Sequence, residues 1–306
     1  MVASSLLDLI GNTPLVELSK LSPPGRTIYA KLEGQNPTGS IKDRVALAMV
    51  EAANLEPGQE LLEPTSGNTG ISLALVAKLK GLKLTCVMPS NATPERRMLL
   101  ELYGATIIES PGELGSNGAV RMAQEIAEGD DRYVMLFQYG NEANPRAHYE
   151  GTGAEIAREL PRVDALVAGL GTGGTLMGVA RYMRRAKPGV RIVAAEPLPA
   201  AGVPGLRSLQ DGFVPEILDQ ALIDQSFIVS KAEAIAGVRA LLTHEGMFAG
   251  PSSGAILVAA RRLAKEMPGA TIVALLPDGG WKYLSGGVFT PGPEWPAGEL
   301  DEALLG

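Results

Sequence analysis

One cysteine stands in a chain of 306 residues, with no second cysteine to pair with. An intrachain disulfide is therefore excluded, and nothing points to an oxidising compartment. Cys86 lies in Leu82-Lys83-Leu84-Thr85-Cys86-Val87-Met88, an apolar run that reads as a buried strand, so its thiol is expected to pack rather than react. Two histidines, His148 and His244, are too few for a multi-histidine metal site and a poor basis for a histidine-centred triad. No metal is expected. Basic blocks are missing too: 27 Lys and Arg against 34 Asp and Glu leave a net charge of -7. Such a surface repels a nucleic-acid backbone and has no pull towards anionic lipid, so neither is expected as a partner. No uncharged apolar run is long enough to span a bilayer, and the first residues lack the cationic-then-apolar start of a signal peptide. The cytoplasm is the expected location.

What is present is an ordinary globular composition, 45% hydrophobic and 20% charged. Short apolar runs alternate with amphipathic stretches nearly throughout. Strands are expected at Ile28–Leu32, Leu61–Glu63, around Cys86, and at Ala105–Glu109, Val134–Gln138, Ala165–Ala168, Arg191–Ala195 and Thr271–Leu276. Helices are expected over Ile41–Asn54 and Thr69–Lys80, and from Thr93, Gly115, Glu142, Gly173, Lys231 and Gly254. Repeated β-then-α order with continuously apolar strands predicts parallel sheets covered by helices on both faces. There are more strands than one compact sheet needs, which predicts two α/β domains divided near Gly140. The Pro- and Gly-rich stretch from Leu198 to Gln225 reads as a long surface connection, and the proline-containing tail after Gly287 as irregular.

Four segments carry chemistry. In Pro37-Thr38-Gly39-Ser40-Ile41-Lys42-Asp43-Arg44, Ser40 and Asp43 are spaced as a capping box. Lys42 then falls in a first helical turn, where a cation opposes the helix dipole and the lysine is biased towards its free amine. A local rule broken in this way marks a candidate site, although a solvated surface lysine reads equally well in isolation. Glu63-Pro64-Thr65-Ser66-Gly67-Asn68-Thr69-Gly70 gathers hydroxyls and N–H groups at a helix start, a natural cradle for a carboxylate. Ala168-Gly169-Leu170-Gly171-Thr172-Gly173-Gly174-Thr175 joins a strand to a helix with N–H groups suited to a phosphate. Its Gly169, Gly171 and Gly174 also satisfy the dinucleotide pattern, with Glu196 at about the ribose-binding distance, so a nicotinamide-dependent dehydrogenase is the rival reading. The mid-chain position of that loop counts against the rival. Gly250-Pro251-Ser252-Ser253-Gly254-Ala255, taken alone, is best read as a serine cap.

Together these ordered motifs resemble the cysteine synthase branch of the fold type II (β-family) pyridoxal-phosphate enzymes. The likeness runs from Gly11-Asn12-Thr13-Pro14-Leu15 to Asp278-Gly279-Gly280-Trp281-Lys282-Tyr283. It implies a tryptophan synthase β-like architecture of twisted, mostly parallel sheets flanked by helices. Residues 40–140 would form a smaller domain carrying the cofactor lysine. Residues 1–39 and 141–306 would form a larger one carrying the phosphate loop. By position, Lys42 would carry pyridoxal 5'-phosphate, Asn68 would bond its 3′-oxygen and Ser252 would face its ring nitrogen. Gly171, Thr172, Gly173, Gly174 and Thr175 would hold its phosphate, while Thr65, Ser66, Thr69 and Gln138 would take the substrate carboxylate. The implied reaction replaces the β-substituent of an activated serine with sulfur by way of an aminoacrylate. The finer match is to the cysteine synthase B type and to an actinobacterial branch using O-phosphoserine, with O-acetylserine as the other donor; Arg207 matches the arginine that binds the donor phosphate. The sulfur source of that branch is a small thiocarboxylated carrier protein, with sulfide or thiosulfate also accepted, and a homodimer is implied. A cystathionine β-synthase, a serine/threonine dehydratase and a non-catalytic relative are the remaining alternatives.

Overall fold

The structure, a computed structural model, describes residues 2–65, 67–199, 202–286 and 288–289. Two parallel-rich sheets organise it. The chain opens with β1 (Leu15–Glu17), β2 (Thr27–Leu32) and α1 (Lys42–Ala52). A run of β3 (Glu60–Pro64), α2 (Asn68–Lys80), β4 (Leu84–Pro89), α3 (Pro94–Tyr103), β5 (Thr106–Ser110), α4 (Gly115–Gly129) and β6 (Tyr133–Met135) follows. Then come α5 (Ala143–Ala147), a π-helical turn over His148–Gly153, α6 (Ala154–Glu159), β7 (Ala165–Gly169), α7 (Gly174–Ala186) and β8 (Arg191–Pro197). The last elements are β9 (Gln225–Val229), α8 (Lys231–Glu245), α9 (Pro251–Glu266) and β10 (Thr271–Leu276). The expected α/β class with sheets covered on both faces is what forms.

The larger sheet has the order β1-β2-β10-β7-β8-β9, and the smaller β5-β4-β3-β6. Every pairing is parallel except β1 with β2, so the opening strand joins the larger sheet as an antiparallel edge. Strand alternation sorts side chains to two cores: Val167, Val193 and Ile272 pack under α8 and α9, while Leu166, Ile192 and Val273 pack under α7. In the smaller sheet Leu61, Cys86 and Met88 face α1 and α2, while Leu62 and Val87 face α4. Cys86 is a free, fully buried core thiol, and burial pushes its pKa up, which keeps it protonated and inert.

Several boundaries differ from the sequence expectation for identifiable reasons. The strand expected over Val134–Gln138 stops at Met135, because Phe137 adopts a φ of +53° that leaves the extended region. β9 ends the connection read from Leu198 to Gln225; as an edge strand it exposes Ile228, which masks its pattern. The helix expected from Glu142 is broken by the π-helical turn. The tail beyond residue 289 lies outside the described residues.

Topology then points to one place. Next to β3, β4 and β5 extend the smaller sheet one way and β6 the other; β8 and β10 flank β7 likewise. Loops leaving the carboxyl ends of strands at such switch points diverge and open a crevice. The crevices of the two sheets face one another.

Candidate active site

A cleft of about 240 Å³ lies between these strand ends, lined by Lys42, Thr65, Asn68, Thr69, Gln138, Ser252 and Arg207 among others. A smaller cavity of about 40 Å³ connects Lys42 with Gly171, Thr172, Gly173 and Thr175. The described site residues expected from the sequence all line one cavity or the other, except Gly174, which starts α7 packed against Asn144; Ser66 lies outside the described residues.

Lys42 is the first residue of α1. The turn before it is pinned to the chain leaving β10: Ile41 N–H donates to the Pro277 carbonyl at 2.8 Å, and Ser40 bridges Asp278. The expected capping box does not form. Asp43 turns instead to the Thr38 N–H (2.7 Å), the Thr38 hydroxyl and the Ser72 hydroxyl (2.5 Å), and Ser40 Oγ takes only the Lys42 N–H at 3.3 Å. Tertiary hydroxyl donors outcompete the local cap because this carboxylate is buried, and burial raises its pKa. Burial likewise holds the Lys42 amine below its ordinary value, with the Asp278 charge pulling the other way. Burial, rather than the helix dipole, sets that direction.

The glycine-rich loop forms as the strand–helix motif requires. Gly173 has a φ of +86°, and a Cβ on Gly174 would lie 1.9 Å from Asn144 Oδ1, so a side chain fits at neither position. Asn144 Nδ2 and the Gly174 N–H both donate to Thr172 Oγ1, at 3.1 and 3.2 Å. Thr175 Oγ1 lies 3.2 Å from His148 Nε2. Burial first, then the charges of Arg44 and Lys42, holds His148 well below the imidazole range, so it is neutral under the loop.

On the opposite wall, Thr69 Oγ1 donates to Gln138 Oε1 at 2.7 Å, and Thr65 Oγ1 accepts the Gly70 N–H at 3.1 Å. Asn68 starts α2 with its amide orientation set on both sides. Lys282 Nζ donates to its oxygen at 2.8 Å, and its nitrogen donates to Asp278 Oδ2 at 2.7 Å. Asp278 Oδ2 also takes the Tyr283 hydroxyl at 2.6 Å. The amide nitrogen carries two N–H donors; one goes to Asp278, and the Asn68 side chain also hydrogen-bonds the Tyr283 hydroxyl. Asp278 and Lys282 escaped the reading of residues; the one signal was their place in the last motif. Ser252 is no cap, since Gly250 takes that position without a side-chain bond; its hydroxyl faces the cleft beside Gly205. Arg207 reaches across the mouth, donating to Ser116 Oγ at 3.0 Å and Asn117 Oδ1 at 3.1 Å while lying over the Phe213 and Tyr139 rings.

This donor set fits pyridoxal phosphate: a partly desolvated lysine amine, a glycine cradle with hydroxyls a cavity's width away, an oriented amide, and a serine hydroxyl. Glu196, the residue on which a dinucleotide would depend, lines neither cavity. Among the described residues no group of three or more His, Cys, Asp or Glu could hold a metal, and no helix is long and apolar enough to cross a membrane.

Comparison with known proteins gives the same answer. The chain is 41% identical over 295 residues to cysteine synthase B of Pseudomonas aeruginosa, covering 94% of this chain and 98% of that protein. An O-ureido-L-serine synthase crystal structure superposes with a TM-score of 0.90 at 38% identity, over 100% of this chain and 99% of the other. A cysteine synthase from Entamoeba histolytica gives 0.91 at 33% identity, over 100% and 95%. The family model for pyridoxal-phosphate dependent enzymes matches residues 6–278, and the chain belongs to that family.

Proposed function

We propose that this protein makes cysteine by replacing the β-substituent of an activated serine with sulfur. The observation that carries the reading is the position of the Lys42 amine. It stands where the phosphate-sized cavity under Gly171–Thr175 opens into the cleft walled by Thr65, Thr69 and Gln138. When bound there, pyridoxal phosphate supplies an electron sink for the bond pair left at the substrate Cα. The protein supplies the rest. Lys42 Nζ would hold the cofactor, and its amine is the base that takes the Cα proton and later returns it. Ser252 would offer the ring nitrogen a neutral hydroxyl rather than a carboxylate, which would leave the sink moderate and suit elimination and addition at Cβ. Thr65, Thr69 and Gln138 hold the substrate carboxylate, so that the Cα–H bond faces Lys42. Cystathionine synthesis and dehydration need further recognition or water access, and no observation here favours them.

The test is the visible absorbance of the cofactor-loaded protein before and after O-phosphoserine is added. A spectral change on mixing, reversed by sulfide with release of cysteine, supports the reading. A spectrum indifferent to both O-phosphoserine and O-acetylserine overturns it.

Arg207 favours O-phosphoserine as donor. Its guanidinium is presented at the cleft mouth by two hydroxyl or amide acceptors and two aromatic faces, a geometry suited to a bidentate phosphate contact. Arg207→Ala is expected to raise KM for O-phosphoserine by roughly 10- to 100-fold, the worth of one charge-assisted contact, and to alter KM for O-acetylserine far less. Equal losses with both donors would remove the phosphate role. The same likeness leads us to propose a homodimer working in the cytoplasm. It also suggests sulfur delivery by a thiocarboxylated carrier protein, and domains at 40–140 and at 1–39 with 141–306.

A further inference from the structure

Glu63, next to last in β3, has its side chain fully buried, and no cation is among the groups that act on it. Two other buried acids, Glu33 and Glu155, both pair with Arg44. Glu63 instead accepts two consecutive main-chain N–H groups, that of Phe137 at 2.7 Å and that of Gln138 at 3.2 Å. The side-chain amide of Gln138 also acts on it as a hydrogen-bond donor. Phe137 is one of two non-glycine residues with positive φ among the described residues, the other being Asn12. From the far side, Asn144 Nδ2 donates to the Gln138 carbonyl at 2.8 Å. The Gln138 peptide is therefore gripped on both its N–H and its C=O side, at the point where β6 has just ended.

We propose that Glu63 is a positioning residue for substrate carboxylate recognition: it holds Phe137 in its left-handed turn and so aims Gln138 into the cleft beside Thr69. This rests on the reading of Gln138 and Thr69 as carboxylate contacts. The physical reason is the period of two in an extended chain. Were Phe137 to relax into the strand conformation, the side chain after it would swing to the opposite face. Burial pushes the Glu63 carboxyl up to about 8, with the N–H donors pulling it back. A carboxyl kept in so unfavourable a place is expected at a functional site rather than in a packing role.

The experiment compares cofactor-loaded wild type, Glu63→Gln, Gln138→Ala and the double variant with O-acetylserine as donor, above the pKa of Glu63. Glu63→Gln keeps the side-chain volume but turns an N–H donor towards a main-chain N–H. It is expected to raise KM roughly 10-fold, as loss of a bond to a charged group does, while kcat, the cofactor spectrum and cofactor retention hold. Gln138→Ala should raise KM in the same way, and the double variant should be no worse than Gln138→Ala, because both act through one side chain. If Gln138→Ala leaves KM unchanged, the carboxylate reading fails. Multiplying effects in the double variant overturn the positioning role alone. So does an unchanged KM in Glu63→Gln while Gln138→Ala weakens binding. Glu63→Asp, which keeps the charge and withdraws the oxygens, is the second variant and should raise KM in the same direction.

Discussion

Lys42→Ala is expected to reduce turnover by roughly a thousandfold or more, since in the proposed function it removes an attachment point and a proton-transfer group at once. The variant should also lose its cofactor on dialysis under conditions where the wild type retains it. The argument is one of position and protonation. Lys42 follows a turn held by Pro277 and Asp278, so its amine cannot be replaced by another side chain without moving the end of β10. Burial lowers its pKa, so the free amine persists to lower pH than for a surface lysine. Steady-state cysteine production and absorbance after dialysis are the measurements. Normal production by the variant would remove Lys42 from the mechanism.

Arg44→Met is expected to cost about 3–5 kcal/mol of folding stability, the range found when one partner of a buried ion cluster is deleted. Arg44 donates to Glu33 through Nε at 2.7 Å and to Glu155 through Nη1 at 2.6 Å, with Lys31 Nζ 2.9 Å from Glu155. Removing the guanidinium leaves Glu33 without an ion-pair partner and Glu155 with Lys31 alone, beneath the Gly11–Thr13 segment. Burial alone would raise Glu155, but the bonds and charge of Arg44, aided by Lys31 and the Asn12 N–H, carry it down to about 2. A folded pKa below the ordinary carboxylate value means that this stabilisation is present above that value and is lost as pH falls towards 2. The stability gap between wild type and Arg44→Met should therefore shrink as the solution is acidified through that window. Denaturant titrations at several pH values measure it; a gap of under ~1 kcal/mol at neutral pH would show the cluster to be dispensable.

How much of this could be read from residues alone depended on how far each interaction reaches along the chain. The Gly171–Thr175 loop was legible because strand, turn and helix are adjacent and glycine at those places has a local cause. The parallel sheets were legible from the apolar runs. Glu63 was not, because its donors lie 74 and 75 residues away. Asn68 meets Asp278 across 210 residues, and no local pattern announces such a pairing. Ser252 looked like a cap because serine at a helix start usually is one; Pro251 had already taken the first helical position. Arg207 was singled out by resemblance, and its aromatic and hydroxyl neighbours become visible only once α4 and the long connection meet.

The clasp between Ser40–Ile41 and Pro277–Asp278 has a consequence for synthesis. A ribosome releases the chain from its N-terminus, and domains generally fold in that order. Here Lys42 is made well before the strand segment that seats it. β2 must likewise wait for β10 before it gains its parallel neighbour. The seat of the Lys42 amine is thus complete only once β10 has been made and has paired with β2.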